Sequence, residues 1–270
     1  MEPGSETLGS EDDDRAGTPS TEASGAIEVR RRRRGIFLLP NLITSGALFS
    51  GFFALVASAD KNFSAAAIAV FVAMVLDAAD GRVARLTRTE SSFGAEYDSL
   101  SDMVAFGVAP GMLVFLWGLS TIGKWGWAAT FVYMACAALR LARFNTAPDN
   151  TSFQGLASPA AAALVAGTVW VCQDDGWPFP QPLGTFLVAG LTAGVGLLMV
   201  SNFRYFSPKT LKLKGRVPFV TLVICVLGFA VVLAQPSHVL LALFVVYAAS
   251  GPFTYGWQRL RSKRAASTAQ

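Results

Sequence analysis

Histidine is nearly absent from this chain, cysteine is scarce and charge is thin. The single histidine is His238. A His-based metal site or a His-driven nucleophile therefore has almost nothing to be built from. Cys136, Cys172 and Cys225 lie in apolar sequence without pairing or metal-ligand spacing. They read as small buried hydrophobes and imply no disulfide framework. Charged residues make up 15% of the 270 positions, against about 25% in a soluble domain. That shortage argues against an ordinary water-soluble fold.

What the chain has in quantity is apolar sequence. Hydrophobic residues reach 53%, with 20 Phe and 6 Trp, and mean hydropathy is +0.46. This composition belongs to an all-α integral membrane protein. Residues 1–29 are polar and acidic and are expected to form a disordered tail. Residues 30–35 form a basic juxtamembrane segment built on Arg30–Arg34. An apolar stretch follows within two residues, so an anchor on anionic lipid is preferred to nucleic-acid binding. Residues 36–258 form the transmembrane domain, and 259–270 a basic tail. Apolar runs of about 20 residues recur through the domain. They predict about eight helices, near 38–58, 62–86, 95–119, 123–144, 156–173, 183–201, 217–234 and 237–257. The last two form a hairpin around Gln235-Pro236-Ser237.

The basic residues alternate between helix ends in one sense. Arg30–Arg34, Arg82, Arg85, Arg88, Arg140, Arg143, Arg204 and the Lys and Arg of 209–216 and 259–264 fall on one side. Only Lys61 and Lys124 fall on the other. The asymmetry predicts a multi-pass protein of the cell membrane with both termini in the cytoplasm.

Against this background, four carboxylates stand out: Asp77, Asp80, Asp98 and Asp102. Acids inside apolar helices are costly and mark function by default. Asp77, Asp80, Gly81 and Ala84 share one face of the second helix, and Gly94, Asp98 and Asp102, four apart, share one of the third. A short connection makes the two helices an antiparallel hairpin, so the faces can meet near its open cytoplasmic end. Such a cluster repels itself unless protons or cations neutralise it. With no His or Cys ligands at hand, a bound metal must take oxygen ligands, which favours Mg²⁺, Mn²⁺ or Ca²⁺. Two divalent ions about 3.5–4 Å apart, held by Asp, water and substrate phosphate, would suit phosphoryl transfer. Helix capping could account for one such Asp, but fits four in register poorly. A cation relay in an ion-coupled transporter is the reading from a different class. It expects acids near the midplane rather than at one face.

The stretch from Asp77 to Asp102 reads D-x2-D-G-x2-A-R-x8-G-x3-D-x3-D, through Asp77, Asp80, Gly81, Ala84, Arg85, Gly94, Asp98 and Asp102. It resembles the signature of the CDP-alcohol phosphatidyltransferases at every specified position. The resemblance implies a membrane enzyme with a six-helix core, here followed by a C-terminal helical hairpin, and usually a homodimer. Such an enzyme binds a CDP-linked lipid and displaces CMP with an alcohol. Segments 39–44, 101–110, 139–145, 153–160 and 200–205 are similar to family members that use L-serine on CDP-diacylglycerol. Ala157 stands where proline is expected, a change that bears on loop stiffness. The resemblance implies Asp77, Asp80 and Asp98 as metal ligands and Asp102 as ligand and general base, with two Mg²⁺ or Mn²⁺ ions. It implies Gly81, Ala84 and Arg85 at the CDP group, with Asn41, Thr44 and Ser91 as candidates for the diphosphate. Arg140, Arg143 and Arg204 are candidates for the serine carboxylate. Inositol phosphate or glycerol phosphate is the alternative acceptor.

Overall fold

The computed structural model describes residues 21–87, 91–146, 155–177, 182–203, 205 and 219–268. Every regular element among them is helical: α1 (Thr21–Ala59), α2 (Phe63–Thr87), α3 (Ser92–Asp102), α4 (Ala109–Trp117), α5 (Lys124–Thr146), α6 (Ser158–Asp174), α7 (Pro182–Val200), α8 (Phe219–Ala234) and α9 (Pro236–Thr268). A π-helical segment, Met103–Val108, joins α3 to α4, and one 3₁₀ turn, Leu119–Ile122, leads into α5. The chain is thus an all-α integral membrane protein. Five described stretches are long and apolar enough to cross a bilayer: Leu39–Ala59, Phe63–Thr87, Ser92–Trp117, Leu183–Val200 and Pro236–Tyr255. The described parts of α6 and α8, at 17 and 16 residues, are shorter than the usual span of about 20. In α5, Arg140 and Arg143 occupy the last two turns.

The eight expected helical segments all form. The third is divided by the π segment into α3 and α4, and the other differences lie at the two ends of the chain. α1 begins at Thr21, so residues 21–29, expected to be tail, continue the first helix backward through the arginine run. Once a helix is nucleated each further residue adds a hydrogen bond, and Glu, Ala and Arg there favour it. Residues 1–20 lie outside the described part. α9 likewise runs on to Thr268, through the basic tail.

α6 is the central post. It packs against α2, α4, α7 and α9. Its inward positions are small, with Ala160–Ala163 and Ala166 all buried, so neighbouring backbones approach closely. α1 lies along α2, and its Gly51 faces the π segment. A Cβ at Gly51 would stand 2.8 Å from the Ala105 Cα, so only glycine allows this crossing. At the start of α6, Gly155 adopts φ +83°. Its N–H donates to the Phe203 carbonyl, and the Leu156 N–H to Leu198. These bonds tie the α5–α6 connection to the end of α7.

The outward faces are apolar, as lipid contact requires, with Phe49, Phe52, Phe53, Leu187 and Leu197 exposed. Trp125, Trp127 and Trp177 are exposed at one end of the bundle, where interfacial aromatics are enriched. Asp175 and His238 meet at that same end, 3.3 Å apart. The other end, about 25 Å away along α6 at 1.5 Å per residue, holds the aspartates.

Candidate active site

Hydrogen bonds between helices gather the site at the end where α2 finishes and α3 begins. Ser91 caps α3, its Oγ accepting from the Gly94 N–H at 3.0 Å. This fixes the start of the helix about two turns before Asp98. The Ser101 hydroxyl donates to the Thr44 carbonyl of α1 at 3.2 Å. Ser45 and Tyr97 share a hydroxyl–hydroxyl bond of 2.8 Å. The Ser99 hydroxyl donates to Asn145 Oδ1 at the end of α5. α3 is therefore clamped between α1 and α5, with Asp98 and Asp102 on its inner side.

Asp77, Asp98 and Asp102 each bring one carboxylate oxygen to within 4.8 Å of the other two, and all three are half-buried. The fourth aspartate adjoins this trio without being one of the three close oxygens. Asp80 is 4% exposed, and its Oδ2 has no hydrogen-bond partner. It lines a cleft together with Pro40, Asn41, Thr44, Gly81, Ala84, Ser91, Gly94, Ala95 and Asp98. The sequence reading is thus resolved into two adjoining parts: a three-carboxylate cluster, and a cleft that shares Asp98 with it. Asn41, Thr44 and Ser91, far from the motif in sequence or outside its specified positions, line the cleft beside Gly81 and Ala84.

Three hard oxygen donors so close, with an orphaned carboxylate oxygen beside them, suit a hard divalent cation. A buried acceptor without a donor is costly, and mutual repulsion within the trio would be relieved by positive charge. The residues present therefore fit the group that the sequence pattern implies.

The cations divide by depth. Arg85 is exposed and folds back, its Nε donating to the Gly81 carbonyl at 2.8 Å, so its guanidinium sits at the mouth of the cleft. Arg143 is exposed and donates to Asn202 Oδ1 at 3.4 Å. Arg140 is half-buried and donates through Nη1 to the Ser158 hydroxyl at 2.8 Å. Arg204 lies outside the described residues. Two residues near Arg140 carried no role in the sequence reading: Ser158, inside the 153–160 segment, and Tyr247 on α9.

The family model for CDP-alcohol phosphatidyltransferase matches residues 37–200, which contain all four aspartates and the whole cleft. The chain belongs to the CDP-alcohol phosphatidyltransferase family. A Helicobacter pylori (strain J99) protein named CDP-diacylglycerol–serine O-phosphatidyltransferase is 36% identical over 216 residues, covering 78% of this chain and 90% of that one. A Mycobacterium tuberculosis (strain H37Rv) protein of the same name is 30% identical over 243 residues, covering 85% and 82%. One from Methanocaldococcus jannaschii is 34% identical over 188 residues, covering 69% and 82%. Within this phosphatidyltransferase, α8 and α9 lie beyond the family-matched segment.

Proposed function

We propose that this phosphatidyltransferase moves the phosphatidyl group of CDP-diacylglycerol to the hydroxyl of L-serine, giving phosphatidylserine and CMP. The observation that carries the reaction class is the trio of Asp77, Asp98 and Asp102 beside a cleft lined by small and polar residues. The names of the relatives support serine as acceptor. Asp77, Asp80, Asp98 and Asp102 would hold two Mg²⁺ or Mn²⁺ ions. Bound there, the ions would neutralise diphosphate charge and make CMP a better leaving group.

The protein's own groups supply the rest. Gly81 and Ala84 leave room for the nucleotide diphosphate against the α2 backbone, and Asn41, Thr44 and Ser91 offer hydrogen bonds around it. Arg85 is placed to reach a phosphate oxygen from the cleft mouth. Asp102 accepts the serine hydroxyl proton as that oxygen attacks the phosphorus on the lipid side. The new P–O bond forms as the bond to CMP breaks, and CMP carries away the electron pair. The acyl chains stay in the bilayer, so donor enters sideways between helices. The site and both termini face the cytoplasm of a cell membrane in this reading, because the basic residues gather at that end. A homodimer is carried over from the family resemblance.

The test is transfer by purified protein supplied with CDP-diacylglycerol, Mn²⁺ and one labelled alcohol at a time. The reading expects label from serine in lipid, with one CMP released per transfer. Transfer to inositol phosphate or glycerol phosphate, with none to serine, would refute the serine assignment. Cation-gradient-driven flux in liposomes without CMP release would refute the enzyme reading.

A further inference from the structure

Lys61, Arg82, Arg85, Lys124 and Arg143 are exposed, whereas Arg140 is half-buried. It lies on α5, one turn before Phe144 and facing inward, where burying a guanidinium is costly unless its donors are used. One donor is used, on Ser158, which is itself 1% exposed. The Nε–H is buried and has no partner. Asp102 and Tyr247 both lie within electrostatic reach of Arg140. Tyr247 is half-buried on α9, held in place by its ring contact with Tyr205, 5.5 Å between centroids. Tyr205 in turn is buried, with its hydroxyl donating to the Ala248 carbonyl and its ring seated where a side chain on Gly251 would be. α9 is thereby keyed to the end of the bundle that carries the aspartates.

This arrangement has a spare buried donor within electrostatic reach of both the proposed base and a phenol. A compact acceptor with a hydroxyl at one end and a carboxylate at the other matches that order of groups. An acceptor bearing a phosphate dianion would need more positive charge than one half-buried arginine provides. We infer that α9, a helix outside the family-matched segment, completes the acceptor site: Arg140 pairs with the acceptor carboxylate, Ser158 holds the guanidinium in position, and the Tyr247 hydroxyl adds a second donor. This rests on the proposed serine transfer. Tyr247 is then a specificity-determining residue and Ser158 a positioning residue.

The experiment is steady-state kinetics of full-length wild type, Tyr247→Phe and Ser158→Ala in mixed micelles. Serine and CDP-diacylglycerol are varied separately, with serine amide as a competitor acceptor that lacks the carboxylate charge. Loss of a hydrogen bond to a charged group predicts a serine KM raised about tenfold in each variant. The KM for CDP-diacylglycerol should stay within about twofold, and the preference for serine over serine amide should shrink about tenfold. A purely structural role for either residue would move both KM values together, or lower kcat alone, and would overturn the inference. Unchanged serine KM in both variants would also overturn it. If wild type does not use serine at all, the functional reading fails along with it. If wild type uses serine and the variants do not discriminate, the inference alone fails.

Discussion

Replacing Asp102 by asparagine keeps the size of the side chain and removes both its charge and its basicity. The two losses act in opposite directions, and the structure sets their sizes. Asp102 has two carboxylate neighbours, Asp77 and Asp98, with oxygens inside 4.8 Å. Two unit charges at that separation repel by about 3.5 kcal/mol at an effective dielectric of about 20. Water and salt at the open cleft screen part of this, so about 2 kcal/mol is the working relief. For a chain of this size that corresponds to a thermal midpoint roughly 4–8 °C higher. The gain should be seen with a chelator present and at alkaline pH, because bound cations or protons remove the repulsion in wild type. Activity should move the other way, falling by about 10²–10⁴ for loss of a general base. The assay is therefore paired: thermal unfolding in detergent with and without chelator, and serine incorporation with saturating Mn²⁺. Activity within a few-fold of wild type would refute Asp102 as base. A chelated midpoint equal to or below that of wild type would refute the repulsion argument, whatever the activity.

Three other outcomes are expected. Asp77→Ala should lose activity that excess Mn²⁺ does not fully restore, measured as a metal titration of serine incorporation, since it removes one of three close donors. Chelation should abolish transfer by wild type, and Mg²⁺ or Mn²⁺ should restore it where monovalent salt does not. Gly51→Val should lower stability by about 1–3 kcal/mol, read by thermal unfolding, because its Cβ would meet the Ala105 backbone. An unchanged midpoint would show that α1 and the π segment are not held as tightly as described.

Much of the site was legible because one helical turn brings every fourth residue to the same face. Gly94, Asp98 and Asp102 share a face for that reason, and a short α2–α3 connection brings Asp77 opposite them. Periodicity does not fix side-chain direction at three-residue spacings, however. Asp80 shares its helix face with Asp77, yet it lines the cleft and is not one of the three whose oxygens close to within 4.8 Å. The extension of α1 to Thr21 was hidden by composition, since polar sequence without a core partner reads as tail even where a neighbouring helix can propagate into it. Ser158 and Tyr247 left no local signal. They come from α6 and α9, and only the packing of those helices places them near Arg140.

The wide turn at Met103–Val108 begins at the residue after Asp102. A π turn amounts to one extra residue threaded into a helix, so it resets the angular register between the two halves of the span. Upstream, the face with Asp98 and Asp102 is aimed at Asp77 and the cleft adjoining it. Downstream, Ala105, Phe106, Ala109 and Leu113 are turned fully inward. The span thus works as two helices with independent headings on one rod. Chemistry above the joint and packing below it can drift separately without forcing each other. Removing a single residue from the joint would turn one half by about 100° relative to the other, swinging Asp98 and Asp102 away from Asp77 while leaving every carboxylate in the chain.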